Sequence, residues 1–328
     1  MKRIMRSRIA KASVASVAAV GAMAAWNKKL EGGGEKLVSR LAGGEVHYYR
    51  WRGGGRGGGD VAYSVEGEGT PLLMVHGIYA GASSFEFRKN FDALSERFRV
   101  YALDLLGCGL SEKPRRGYAP EDVSAQIEDF AREEIGKPTH LVASSLSAAL
   151  SMPTLVKNPR LFKRLVFICP TGYRTLDRPS GRLGDAVYGA FESPILGDSL
   201  YHALASRRGI RFYLERMAYH DPAFVTDELV EEYHRASHGR GARHLPAAFA
   251  SGKLNFPVAG FWPRVPHRTM VCWGREATGA SSIEGMKPFL NQNPRTAPRI
   301  FKNAALLPHD ERSETFNREV MEFLTSKG

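Results

Sequence analysis

Apolar positions along the chain alternate between two spacings. Short apolar runs at 46–51, 61–65, 71–75, 100–103, 140–144 and 165–169 read as strands, each bounded by Gly, Pro or polar residues. Residues 84–98, 120–135 and 146–158 carry apolar side chains at helical spacing instead. Glu121 and Asp122 stand in the first turn of the second helix, where acidic groups complement the dipole, and Pro153 is expected to kink the third. Strict strand–helix alternation predicts an α/β fold, a mostly parallel sheet flanked by helices. From about 173 to 262 the rhythm breaks, and only amphipathic helices are read, one of them opened by Thr226 as N-cap. Alternation resumes with strands at 269–273 and 299–301 and helices near 286–290 and 316–324. Such a helical insert is expected to form a cap over the carboxyl ends of the strands, where open α/β sheets bind ligands. The chain thus divides into a leader at 1–30, a Gly-rich linker and first strand at 31–59, a core at 60–172 and 263–328, and a cap at 173–262.

Composition is that of a globular chain: 328 residues, 43% hydrophobic, enough for a sizeable core. The net charge of +12 matters less than its placement. Residues 1–56 hold twelve Lys/Arg against Glu31, Glu35 and Glu45, whereas the other 34 basic and 31 acidic residues nearly balance. A basic nucleic-acid-binding body is therefore not indicated. The leader joins five basic residues to an Ala/Val-rich run at 12–25, too short to span a bilayer as a helix. It is compatible with a signal peptide, an interfacial anchor that brings residues 1–30 to a membrane, or an organellar transit peptide. A featureless Ala-rich helix, leaving the protein cytoplasmic, fits as well. Export or membrane association is the favoured address. Residues 53–59 resemble an RNA-binding Arg-Gly segment but read as a hairpin loop between two strands. Cys108, Cys169 and Cys272 indicate no disulfide framework. His234 and His238 are four apart on a helix without a third ligand nearby, so they read as solvated or capping side chains rather than a metal site. No cofactor is implied.

Four motifs, in order, carry chemistry. Leu72-Leu73-Met74-Val75-His76-Gly77 ends a strand in His-Gly; 104–111 reads D-x-x-G-x-G-x-S; 141–147 reads Leu-Val-Ala-Ser-Ser-Leu-Ser between strand and helix; Val271-Cys272-Trp273-Gly274 ends a late strand. This ordered set resembles the α/β-hydrolase superfamily, in its serine-nucleophile branch with a helical cap, over about 60–324. A nucleophile elbow needs small residues two before and two after the nucleophile. Ser145 has Ala143 and Ser147 there; Ser144 would have Val142 and Leu146. The resemblance implies an oxyanion hole from the backbone N–H groups of Ile78 and Leu146, and a structural His76 beneath that loop.

The other two triad positions depart from the pattern. By resemblance the acid falls at Ala277 and the histidine at Leu306, within Ala304-Ala305-Leu306-Leu307-Pro308-His309-Asp310-Glu311. The triad is atypical, its acid and base positions both apolar, and a paired loss avoids a buried carboxylate without its imidazole. Substitutes are available in sequence: His309 as base and Glu276 as acid would give Ser145–His309–Glu276. The opposing reading has His309 orienting the last helix and Glu276 in solvent. His220, His234, His238 or Tyr219 could also reach down from the cap.

Two functions follow. One is a serine-esterase-like hydrolase acting on an apolar ester or related acyl compound through Ser145 and a non-standard base. The alternative is a catalytically inactive relative that binds an apolar small molecule or a protein partner.

Overall fold

The structure, a computed structural model, describes residues 42–194 and 196–326. The leader at 1–30, with its signal, anchor and transit readings and its membrane contact, lies outside them. Eight strands form one sheet in the order β1-β2-β4-β3-β5-β6-β7-β8. They are β1 (Glu45–Trp51), β2 (Gly59–Glu66), β3 (Thr70–Val75), β4 (Phe98–Leu103), β5 (Thr139–Ser144), β6 (Phe162–Ile168), β7 (Thr269–Gly274) and β8 (Thr296–Phe301). β2 runs antiparallel to both β1 and β4, and every later pairing is parallel. Every residue of β5 and β7 is buried, as a strand covered on both faces requires, whereas edge strand β8 exposes Pro298, Arg299 and Ile300.

Trp51 pairs with Gly59 across the β1–β2 hairpin, so the Gly-rich stretch is its loop. A Cβ at Gly58 would lie 1.7 Å from the Trp51 carbonyl oxygen, which excludes any side chain at that turn. Helices α1 (Phe91–Ser95), α2 (Pro120–Asp129) and α3 (Ser145–Lys157) follow, with α2 packed on α3. The single helix expected over 84–98 is instead a 3-10 turn at Ser84–Phe87 followed by α1. Long-range bonds override helical spacing there: the Ser84 amide donates to Asp104 Oδ1 at 2.6 Å, and the Asn90 amide group donates to the His309 carbonyl at 2.8 Å. α3 runs on through Pro153.

Between β6 and β7 lie only helices: α4 (Arg182–Glu192), α5 (Leu196–Leu204), α6 (Arg207–Tyr213), α7 (Asp227–Ala236) and α8 (His244–Ala250), with short 3-10 and π turns. Thr226 does cap α7, accepting from the Leu229 amide at 3.2 Å. After β7 come α9 (Met286–Gln292), α10 (Pro308–Glu311) and α11 (Ser313–Thr325). No helix among the described residues is long and apolar enough to cross a membrane. Cys108, Cys169 and Cys272 are free and buried.

Candidate active site

Ser145 stands at the turn from β5 into α3 with φ +51°, one of four non-glycine residues in the left-handed region among those described. That conformation costs energy for a residue with a Cβ, and it persists only where the surroundings enforce it. Enforcement here comes from both sides. Ser144 and Ala143 are locked in the sheet against β6, and the Ser147 hydroxyl donates to the His76 carbonyl at 2.6 Å, tying α3 to the loop after β3.

That loop is fixed in turn by buried polar groups. His76 accepts the Leu105 amide on Nε2 (3.1 Å), which leaves Nδ1 to donate to the Gly77 carbonyl (2.6 Å); the ring is fully occupied by backbone. Asp104 accepts the amides of Ser84 and Leu110, and its own carbonyl accepts the Ser111 hydroxyl. A Cβ at Gly109 would fall 2.0 Å from Asp104 Oδ2, so the second glycine of that motif is a steric requirement. Glu86 lies beneath the same loop, accepting the Gly77 amide at 3.1 Å and the Tyr79 hydroxyl at 2.8 Å on Oε2. Burial pushes its carboxyl up, but contacts from His309, Ser144 and His76 prevail and hold it at about 2.

The opposite side of the site is formed where β7 and β8 end. Here the Glu276 amide donates to the Ala304 carbonyl (3.1 Å), and the Ala304 amide returns a bond to Glu276 Oε2 (3.0 Å). Burial is the largest single influence on the Glu276 carboxyl and pushes it up, but bonds from the amides of Ala304, Asn303 and Glu276 itself together bring it down. Ala277 is buried on the same loop, and Leu306 lines a cavity that Ser145 also lines. The sequence-derived substitutes do not meet Ser145. His309 is fully buried, with Nε2 3.4 Å from Glu86 Oε1 and its ring against Phe87 and Phe316. Glu276 is bound to backbone 28 residues away, not to His309. The Ser145–His309–Glu276 arrangement is therefore corrected: α10 turns His309 into the core, where a buried carboxylate holds it.

None of the other reserve groups lines the cavity. The Tyr219 hydroxyl donates to Asp310, and the His220 amide donates to Glu311. His234 and His238 are not solvated: their rings lie 4.0 Å apart, half-buried to buried, and His238 Nδ1 contacts the His234 carbonyl at 2.6 Å, a capping contact at the end of α7. Burial lowers both, His234 to about 4. Among the described residues no group of three or more His, Cys, Asp or Glu is placed to hold a metal.

The cavity at Ser145 has a volume of about 110 Å³. Ile78 and Tyr79 line it from the β3 loop, Leu306 and Leu307 from the β8 loop, and Leu176, Tyr213, Met217 and Phe249 from the helical insertion. No imidazole or carboxylate is among the described residues that line it. Burial raises the phenols of Tyr79 and Tyr213, so both remain protonated donors rather than bases.

Sequence reading missed Glu86, Tyr79, Arg88, Asp310 and Glu311. Asp310 takes Arg88 at 2.6 Å and Lys89 at 2.7 Å. Glu311 accepts the amides of His220, Asp221 and Ala305, while burial pushes its pKa up against them. The only sequence signal was the clustering of charged and polar residues at 86–90 and 309–311.

Comparison with known proteins bears on the family and the fold. Residues 72–319 match the family described as Alpha/beta hydrolase family. An uncharacterized hydrolase, YugF, of Bacillus subtilis is 27% identical over 165 residues, 50% of this chain and 57% of the relative. The (Lyso)-N-acylphosphatidylethanolamine lipase of Mus musculus is 37% identical over 109 residues, 32% of this chain and 31% of the relative. The chain thus aligns with less than two thirds of either relative's length. Among solved structures, a meta-cleavage product hydrolase of Pseudomonas fluorescens superposes with a TM-score of 0.68 at 21% identity, over 84% of this chain and 97% of that one. At that identity the likeness is one of fold.

Proposed function

Because the chain belongs to the alpha/beta hydrolase family, we propose that it is a hydrolase that holds an apolar acyl compound beneath the helices between β6 and β7, with Ser145 as the attacking group. The observation that carries this reading is Ser145 at φ +51° on the wall of an apolar cavity that Ile78 also lines. In the proposed reaction Ser145 Oγ bonds to the acyl carbon. The carbonyl oxygen becomes an oxyanion held by the Ile78 and Leu146 N–H groups. Collapse expels the alkoxide, which takes up the proton lost from Oγ, and water then releases the acid and restores the serine. No imidazole relays that proton, so the step is slow. Loss of triad function leaves about 10³–10⁴ over the uncatalysed rate, supplied by the oxyanion donors and binding.

A second reading, binding without turnover, is favoured by one observation: Leu306 lines the Ser145 cavity, and no imidazole or carboxylate does so among the described residues. A serine-directed alkyl phosphonate separates the two. Labelling of the parent that is absent in Ser145→Ala, together with slow ester turnover, supports the hydrolase. An unlabelled, folded parent that still binds the compound supports the second reading.

A further inference from the structure

A second cavity, of about 170 Å³, adjoins the one at Ser145. The two share Tyr79, Tyr213 and Phe249, so those three rings form a partition between them. The rest of its wall comes from α4 to α6 and α8, notably Phe191, Leu204, Ile210 and Ala250. Two of its three phenol hydroxyls have work elsewhere: Tyr201 donates to the Ser237 carbonyl at 2.6 Å, and Tyr79 donates to Glu86; the third is Tyr213. Apart from that hydroxyl, ring faces and alkyl groups are what remain to a ligand. A polar or hydrated group placed there would lose its water without compensation. Tyr79 is fixed by its bond to Glu86 and by stacking on Tyr233 at 5.9 Å. Phe249 and Tyr213, both half-buried, are the partition members not pinned in this way. Leu204 is 54% exposed, so the far end of the chamber reaches the surface.

We propose that this chamber receives the tail of an unbranched alkyl chain whose acyl carbon lies at Ser145, making the substrate a medium- or long-chain acyl compound. The proposal rests on the hydrolase reading for the position of the acyl carbon, while the chamber itself can be tested without turnover. Each methylene taken out of water favours binding about fourfold. Because the chamber opens at Leu204, gain should rise with chain length and then level off rather than collapse.

The test is calorimetric binding of butyrate, hexanoate, octanoate and decanoate to the full chain and to Ser145→Ala, alongside turnover of the matching 4-nitrophenyl esters. Ile210→Trp and Ala250→Trp each place a ring in the chamber. Ala250 is exposed, so that variant remains informative if the buried Ile210 position does not tolerate the ring. We expect decanoate to bind at least tenfold more tightly than butyrate in both backgrounds, and either tryptophan to erase that ratio in folded protein. Equal binding of butyrate and decanoate overturns the chamber, even where phosphonate labelling of Ser145 succeeds. A chain-length gain that neither tryptophan reduces also overturns it. Chain-dependent binding that the tryptophans abolish, in a protein the phosphonate does not label, keeps the chamber and overturns the role of Ser145.

Discussion

At the end of β5 the backbone does the specifying: Ser145 sits in a left-handed conformation, its flanks are small, and the neighbouring loops are pinned by His76, Asp104 and Glu86. After β7 and β8 the loops are also held by hydrogen bonds, yet the side chains they bring to the cavity are Thr278, Ser281, Leu306 and Leu307, with Ala277 buried nearby in sequence. The first half presents a strained serine held by its neighbouring loops. The second presents no imidazole or carboxylate to the cavity among the described residues. The scaffold and the chemistry of a site can therefore separate. Loop conformation is maintained by bonds spread over many residues, such as the Glu276 amide to the Ala304 carbonyl and the Ala304 amide to the Glu276 carboxylate. Proton handling of the kind the proposed reaction needs would, by contrast, rest on two side chains.

The strongest challenge to this contrast is to refill the empty half. Ala277→Asp with Leu306→His should raise ester turnover by about 10²–10⁴, the usual worth of a positioned general base. Leu306→His alone should gain less, because the imidazole lacks its orienting carboxylate. Ala277→Asp alone should lower the melting temperature, since it buries an unpaired charge. A folded double variant no faster than the parent would break the contrast.

A second measurement separates catalysis from structure at His309. His309→Ala should cost about 3–5 kcal/mol in denaturant unfolding, by stranding the Glu86 carboxylate, and should leave turnover per folded molecule intact. Turnover lost without loss of stability would return His309 to the active half.

The acid limb of the stability curve tests the same pair more gently. Glu86 is held at about 2 against an ordinary 4.5, so its contribution is complete above about 4.5 and disappears as the pH falls towards 2. Between pH 5 and 2 the parent should lose stability more steeply than Glu86→Gln, as followed by unfolding midpoints. Equal slopes would show that the carboxylate is not held down.

The smallest effect is expected at the elbow itself. Ser145→Gly relieves the left-handed strain and should stabilise the fold by about 1 kcal/mol, read as a raised denaturant midpoint. An unchanged or lowered midpoint would mean that the serine side chain makes compensating contacts.

The strained half was legible in the sequence because its constraints are local. Ala143 and Ser147 flank the elbow, Gly109 is small because a Cβ would meet Asp104 five residues back, and Asp104 bonds to Leu110 only six residues on. The order of strands was legible for the same reason. Ala277 and Leu306 could be located only relative to those motifs. The partners of His309 could not be read at all, since Glu86 is 223 residues away and belongs to no motif. The helix expected over 84–98 failed on the same ground, its polar residues being claimed by α10 and by Asp104. Cavities under the insertion depend on how rings from four helices meet, which no periodicity encodes.

The bonds around Glu311 carry a mechanical consequence. The amides of His220 and Asp221 end on its carboxylate, the Leu306 amide donates to the Ala218 carbonyl, and Tyr219 donates to Asp310. Four consecutive residues of the insertion are thus riveted to the β8 loop and α10, while the helices that close the second chamber carry the exposed Leu200, Leu204 and Phe212. Pulling the insertion away from the β8 loop and α10 at these residues would break several buried bonds at once. The insertion is thus anchored to the core at 218–221, while its exposed apolar side chains are carried by α5 and α6.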